Sequence, residues 1–183
     1  MDMQKKDVKK IVSIVVLLAV GAILMACSGQ SIGDSWVPAG MQLASGKDAS
    51  YKLYVPNTWT VDTSTGLTTA STDSGNISFY PQKLEDSSTS LSEYWSAYSD
   101  ALRKSFSELS YETEGENILL DGTVPGLKYV YTAKLSEVSY KFMQVIAIRE
   151  GYVYIFTYTS TEEHYQKGLE DAESIVSHIM FDD

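Results

Sequence analysis

The spacing of apolar residues changes along the chain, and each change marks an element. From residue 50 the chain reads Ser-Tyr-Lys-Leu-Tyr-Val-Pro-Asn-Thr-Trp-Thr-Val, which predicts a strand over 50–55, a turn at Pro56 and Asn57, and a short extended piece ending near Val61. Proline lacks the amide proton that a sheet ladder uses, so Pro56 marks the end of the strand. Two more short strands are expected over 67–70 and 76–80, the second with Ile77 and Phe79 on one face. The period then lengthens from two to nearly four. Leu91, Trp95, Tyr98, Leu102 and Phe106 recur at three- and four-residue steps, which gathers them on one side of a helix. Ser90 and Glu93 stand at capping-box spacing in front of it, and Arg103 and Lys104 suit the negative pole at its end.

Beyond this helix, extended segments are expected over 109–114 and 117–120, followed by turn residues at Asp121-Gly122 and Pro125-Gly126. Three longer runs cover 127–135, 139–149 and 152–159, the last two joined at Glu150-Gly151 as a hairpin. In the second run Tyr140, Phe142, Ile146 and Ile148 oppose Met143, Val145 and Ala147; in the third, Tyr152, Tyr154, Phe156 and Tyr158 oppose Val153 and Ile155. Both faces of the hairpin are apolar, whereas a two-layer antiparallel sheet wets one of them. The centre of the sheet therefore needs a cover on each side. Ser160, Thr161, Glu162 and Glu163 repeat the capping-box spacing, and Tyr165, Leu169, Ala172, Val176 and Ile179 form the stripe of a second helix. One helix per face predicts an α+β domain: a three-layer α/β/α sandwich around a mostly antiparallel sheet.

The first residues follow a different pattern. Lys5, Lys6, Lys9 and Lys10 precede an apolar run over 11–25, the charged and hydrophobic regions of an export signal. The run falls short of the roughly 20 apolar residues that cross a bilayer. Leu24, Met25, Ala26 and Cys27 then resemble the lipobox of bacterial lipoproteins, with a branched residue three before the cysteine and a small one directly before it. The resemblance implies diacylglyceryl transfer to the Cys27 thiol and cleavage after Ala26. Each buried methylene contributes about 0.8 kcal/mol, so two or more acyl chains hold a protein stably on the membrane. An uncleaved signal anchor is the alternative, but it needs no small residue or cysteine there. Cys27 is the sole cysteine, so the chain can form no internal disulfide. The organisation expected is a lipoprotein signal peptide at 1–26, a lipidated cysteine and flexible tether at 27–49, and one domain at 50–183. Within the tether, Trp36, Val37, Met41 and Leu43 are available to dock locally or to form an edge strand.

Removing the leader leaves 157 of 183 residues, enough for one domain with a real core. The leader takes four of the 14 basic and two of the 24 acidic residues, leaving 10 against 22 and a net charge of −12. That charge favours solubility and repels phosphate backbones, which argues against nucleic-acid binding.

No residue set signals catalysis or a cofactor. His164 and His178 share the last helix, about 21 Å apart along its axis at 1.5 Å per residue, too far for one metal. There is no Gly-x-Ser-x-Gly elbow, and local sequence places no histidine as a base beside a hydroxyl. Glu114 and Glu116 share a strand face by parity, a spacing that solvent-facing charges commonly have. Gly75 closes the turn over 71–75, with no second glycine or lysine of a phosphate loop. Thirteen tyrosines and three tryptophans raise the prospect of an aromatic contact surface, for which Trp59, Tyr94, Tyr98 and Tyr111 are the candidates; packing in the core is the competing role for each.

Tyr54, Val55 and Pro56 followed by Trp59, then an amphipathic helix after short strands, a long antiparallel hairpin and a closing helix, resemble the PsbP-like group, whose fold is shared with the Mog family and with DcrB-type bacterial lipoproteins. The likeness covers about residues 50–181. It implies no catalytic set and no cofactor, because none travels with the fold. The function expected is a lipid-anchored binding or scaffold protein on the outer side of a cell membrane, engaging an envelope protein or small ligand. An envelope hydrolase with a distributed site, and a mainly structural lipoprotein, are the alternatives; a deep polar pocket would favour the first of these.

Overall fold

The computed structural model describes residues 37–46, 48–62 and 67–182. The expected signal peptide, Cys27 and Trp36 lie outside these residues. Strands β1 (Met41–Leu43), β2 (Tyr51–Lys52), β3 (Tyr54–Pro56), β4 (Thr60–Asp62), β5 (Thr68–Thr72) and β6 (Gly75–Lys83) lead to helix α1 (Leu91–Ser105). Then come β7 (Ser107–Leu120), β8 (Val124–Leu135), β9 (Val138–Arg149), β10 (Tyr152–Thr161), helix α2 (Tyr165–Ser177) and β11 (Met180–Phe181).

The β9–β10 hairpin occupies the middle of a seven-stranded sheet of order β4-β5-β6-β10-β9-β8-β7, with every pairing antiparallel. Glu150 and Gly151 turn it with positive φ at both positions, the backbone that matches strand twist. Its register sets Tyr154 opposite Ala147, Phe156 opposite Val145 and Tyr158 opposite Met143. Those six side chains belong to one core cluster, while Val153, Ile155, Phe142 and Ile146 belong to a second on the other face. The apolar alternation expected for the hairpin is thus the observed one.

The two covers are offset. Helix α1 packs over β7 and β9 on one face, and α2 packs over β6, β10 and β3 on the other. The ribbons β1–β3 and β2–β11 join the α2 layer, adding Val55, Tyr51 and Phe181 to its core. The covers overlap at β9 and β10, which is why those strands are apolar on both sides. Gly168 permits the close approach of α2: a Cβ there would stand 2.5 Å from the Tyr158 hydroxyl, which donates to the Tyr165 carbonyl at 3.0 Å.

Helix α1 starts as its sequence implies. Ser90 accepts from the Glu93 amide, and the Glu93 carboxylate accepts from the Ser90 amide at 2.9 Å. The second capping box does not form. Ser160 and Thr161 remain in β10, paired with Lys141 and Tyr140, and the Ser160 hydroxyl donates to the Ser74 carbonyl. Helix α2 begins only at Tyr165, with His164 at its cap position and no side-chain cap. Ladder hydrogen bonds on a buried strand outweigh a local cap.

Two further differences come from pairing. The segments expected at 109–114 and 117–120 are one strand, β7, whose register against β8 shifts at three places; Gly115, with φ of +73°, takes one of these irregularities. Ahead of residue 50, Met41–Leu43 pairs with Tyr54–Pro56, and Ala44 is buried in the α2-side core. The sheet-paired chain therefore reaches back into the segment expected as tether, using the edge-strand option open to Met41 and Leu43.

Candidate binding surface

The four aromatic candidates do not form one surface. Trp59 is buried in the α2-side core, its indole N–H donating to Asp171 Oδ2 at 2.8 Å. Tyr94, Tyr98 and Tyr111 lie on the opposite face, in or against the α1-side core. Tyr94 donates to Gln82 Oε1 at 3.0 Å. Tyr111 is half-buried, with Arg103 5.4 Å from its ring centre and its hydroxyl enclosed without a partner. The physical reason is helical phase: Tyr94 and Tyr98 sit on the stripe with Leu91 and Leu102 that α1 turns toward the sheet.

That face is sealed by rings and one amide. Trp95 stacks on Tyr129, centroids 3.5 Å apart at 10°. Gln144, fully buried on β9, accepts from the Tyr131 hydroxyl at 3.1 Å and donates to the Tyr98 hydroxyl at 2.7 Å and to Thr157 Oγ1 at 3.0 Å. Both amide protons and the carbonyl are used, which is what makes such a group tolerable in a core. Burial holds the Tyr98 and Tyr131 phenols above their ordinary pKa.

The other face of β7 and β8 is more open. Helix α2 lies over β6 and β10, so the α2-facing side chains of β7 and β8 reach solvent, whereas Met143, Val145 and Ala147 of β9 are buried in the α2-side core. Register puts Lys128, Val130, Thr132 and Lys134 of β8 on this face, beside Lys141 of β9. Three ion pairs cross it: Lys134 to Glu108 at 2.9 Å, Lys141 to Glu112 at 2.7 Å, and Lys128 to Glu116 at 2.9 Å. Glu173 of α2 approaches Lys128 at 4.0 Å. A depression of about 430 Å³ opens at one end among Glu108, Ser110, Thr132, Lys134, Ser139 and Glu162. Another of about 220 Å³ opens at the far end among Ile118, Lys128, Met143, Val145, Glu173 and Val176. The result is a trough with Lys128, Lys134 and Lys141 on its floor, the β7 acids along one bank, and Glu162 and Glu173 on the other.

Tyr165 lies beneath this trough. It is 2% exposed, Lys141 Nζ sits 4.8 Å from its ring centre, and its hydroxyl has no hydrogen-bond partner. Burial raises its pKa above the ordinary phenol value, with smaller contributions from Tyr158, Glu112 and Glu173. It is therefore a neutral hydroxyl, closed off from solvent.

Sequence reasoning singled out only Glu116 of this set, and paired it wrongly. Thr113 faces Val130 and Glu116 faces Lys128, so the extra residue at Gly115 puts Glu114 on the α1 face, where it acts electrostatically on Tyr111 and Tyr129. A β-bulge abolishes strand parity. Lys128 and Lys134, six residues apart on one strand, were a legible same-face pair; their partners on an irregular edge strand were not.

The histidines stand at opposite ends of α2, as the sequence implies. Local sequence gave no histidine acting on a hydroxyl, yet Ser177 Oγ lies 3.2 Å from His178 Nδ1. Both groups donate to the Ser174 carbonyl, at 2.8 Å each. Nδ1 therefore carries its proton and cannot receive one from Ser177. Among the described residues no group of three or more His, Cys, Asp or Glu is placed to hold a metal ion, and no helix is long and apolar enough to cross a membrane.

No protein-family model matches the chain, and no curated protein sequence does. Solved structures do. The chain has the PsbP-like fold, with two helices against a mostly antiparallel seven-stranded sheet. It is similar to cyanobacterial PsbP (CyanoP) from Synechocystis, at 14% identity and a TM-score of 0.58, over 86% of this chain and 98% of that one. It is similar also to the Ran-binding protein Mog1p of Saccharomyces cerevisiae, at 8% identity and a TM-score of 0.53, over 78% and 96%. A protein of unknown function from Pseudomonas aeruginosa matches at 16% identity and 0.52, over 76% and 96%.

Proposed function

We propose that this chain is a non-enzymatic binding or scaffold protein, held by lipid on Cys27 at the outer side of a cell membrane, that engages an envelope protein or small ligand through the trough beside α2. The observation that carries the reading is the asymmetry of the sheet. On the α1 side β7–β9 are closed by aromatic packing, while on the other side β7 and β8 are left to solvent-reachable ion pairs that a partner of matching charge can address. The lysine cluster and the Leu-Met-Ala-Cys sequence at 24–27 support the anchor. Mog1p, a Ran-binding protein, is an example of this fold used for protein recognition.

Two measurements test the reading. Growth with radiolabelled palmitate should label the wild-type chain and leave Cys27→Ser unlabelled; an unlabelled wild type that retains its first 26 residues removes the anchor. A photocrosslinking residue at Ser110 in intact cells should capture a discrete partner, while one at Ser71 on the far edge should not. Equal capture at the two positions would remove the trough as the binding surface.

A further inference from the structure

The chain ahead of residue 50 is fastened to the domain by more than the pairing of β1. Pro38 is buried, and the Gly40 carbonyl accepts from the Asn57 amide at 2.9 Å. The Gln42 side-chain amide donates to the Trp59 carbonyl at 2.8 Å and to the Pro56 carbonyl at 3.3 Å. The Ala44 amide donates to the Leu53 carbonyl at 2.8 Å, Ser45 Oγ accepts from the Leu53 amide at 3.3 Å, and both residues are buried. Residues 38–45 thus form a strap along β3, held at its leading end by the turn over 56–59.

That turn runs directly into β4, whose Thr60 pairs with Ser71, and Ser71 pairs with Asn76 beside the β5–β6 turn. The strap therefore enters the domain at the end of the sheet where β6 begins. Strand β6 continues from there over Gly75–Lys83, about 26 Å at 3.3 Å per residue. At its far end the Leu84 amide donates to the Gly151 carbonyl at 2.8 Å, which joins the loop over 84–90 to the β9–β10 turn.

Val37 lies ten residues beyond Cys27, a reach of at most about 35 Å. With the strap loose, the next paired residue is Tyr51, twenty-four residues on, a reach of about 80 Å. A domain of this size is about 40 Å across. The short leash lets the far end of β6 approach a bilayer only when drawn almost straight along the domain, whereas the long one would let either end approach.

Resting on the attachment at Cys27 proposed above, we infer that the strap orients the domain on the membrane. The β5–β6 turn faces the bilayer, and the loop over 84–90 with the β9–β10 turn is presented outward, as the end that meets components beyond the membrane surface. An uncleaved apolar leader would attach the chain at nearly the same point and give the same orientation.

The test adds the full chain to preformed phosphatidylcholine vesicles carrying a rhodamine-labelled headgroup, with a donor fluorophore on a noncanonical residue at Asp73 or at Ser87, both exposed. For an offset of about 26 Å, energy transfer from position 73 should be about twice that from position 87. Gln42→Ala/Ala44→Asp, which removes two strap hydrogen bonds and places a carboxylate in the core, should bring the ratio toward one. About a dozen Gly and Ser residues inserted after Gly33 should do the same with the strap and the urea midpoint unchanged. Equal transfer at the two positions in the wild type, or a wild-type ratio in the lengthened chain, overturns the inference. Either result leaves the trough untouched, while a chain without palmitate label strikes the lipid and not the orientation.

Discussion

Strand β8 presents Tyr129 and Tyr131 to one side and Lys128, Val130, Thr132 and Lys134 to the other. One backbone thus carries a closed aromatic layer and an open ionic one. The difference follows from where each helix lands. Helix α1 lies over this half of the sheet, so its neighbours gain by excluding water, and the one amide among them must satisfy every polar group it has. Helix α2 lies over the other half, so its side of β7 and β8 keeps charges that pair in water at little net gain. Stability in this half is concentrated on the first face, and the recognition proposed above falls to the second.

The sharpest way to break this comparison is Gln144→Ala. It orphans the hydroxyls of Tyr98, Tyr131 and Thr157, and urea unfolding should show a loss of about 3 kcal/mol or more; a loss below that of a trough ion pair would refute the division. Trp95→Ala removes the ring stacked on Tyr129 and should cost about 2–3 kcal/mol, with loss of near-ultraviolet dichroism.

Alkaline pH tests the same face without mutation. Burial raises the Tyr98 and Tyr131 pKa values above the 10.0 of a free phenol. In the unfolded chain both ionise from about pH 10, so the stabilisation is complete below that pH and declines as pH climbs toward the folded values. Each should remove about 1.4 kcal/mol by pH 11, read as a falling urea midpoint, with native tyrosinate absorbance short of that of the unfolded chain. Full tyrosinate absorbance in the native protein at pH 11 would show that this layer is wet.

The smallest effect belongs to the trough. Lys134→Ala breaks its pair with Glu108, two side chains well exposed to water, and should change stability by no more than about 0.5 kcal/mol. A substantially larger loss in the same urea assay would mean that the ionic face shares in holding the fold.

Much of the architecture is legible before folding. The Ser90–Glu93 box and the α1 stripe involve contacts within one turn or one face, so local sequence encodes them. The two-sided apolar alternation of β9 and β10 demanded covers on both faces, and α1 and α2 provide them. The N-terminus of α2 was less legible because Ser160 and Thr161 suit either a cap or a strand, and pairing with Lys141 and Tyr140 decided it. Tyr94 and Tyr98 were assigned to a surface although their helical phase placed them with the core.

By itself, then, the sequence determined periodicity, and through it the number of layers, the central hairpin and the first helix cap, because each is a property of neighbours along the chain. Only the tertiary structure decided which half of each face stays open, which lysine meets which glutamate, and that Glu114 and Glu116 part company. Those outcomes depend on the lateral placement of two helices and on an irregular edge register, and both are set by contacts between residues far apart in sequence.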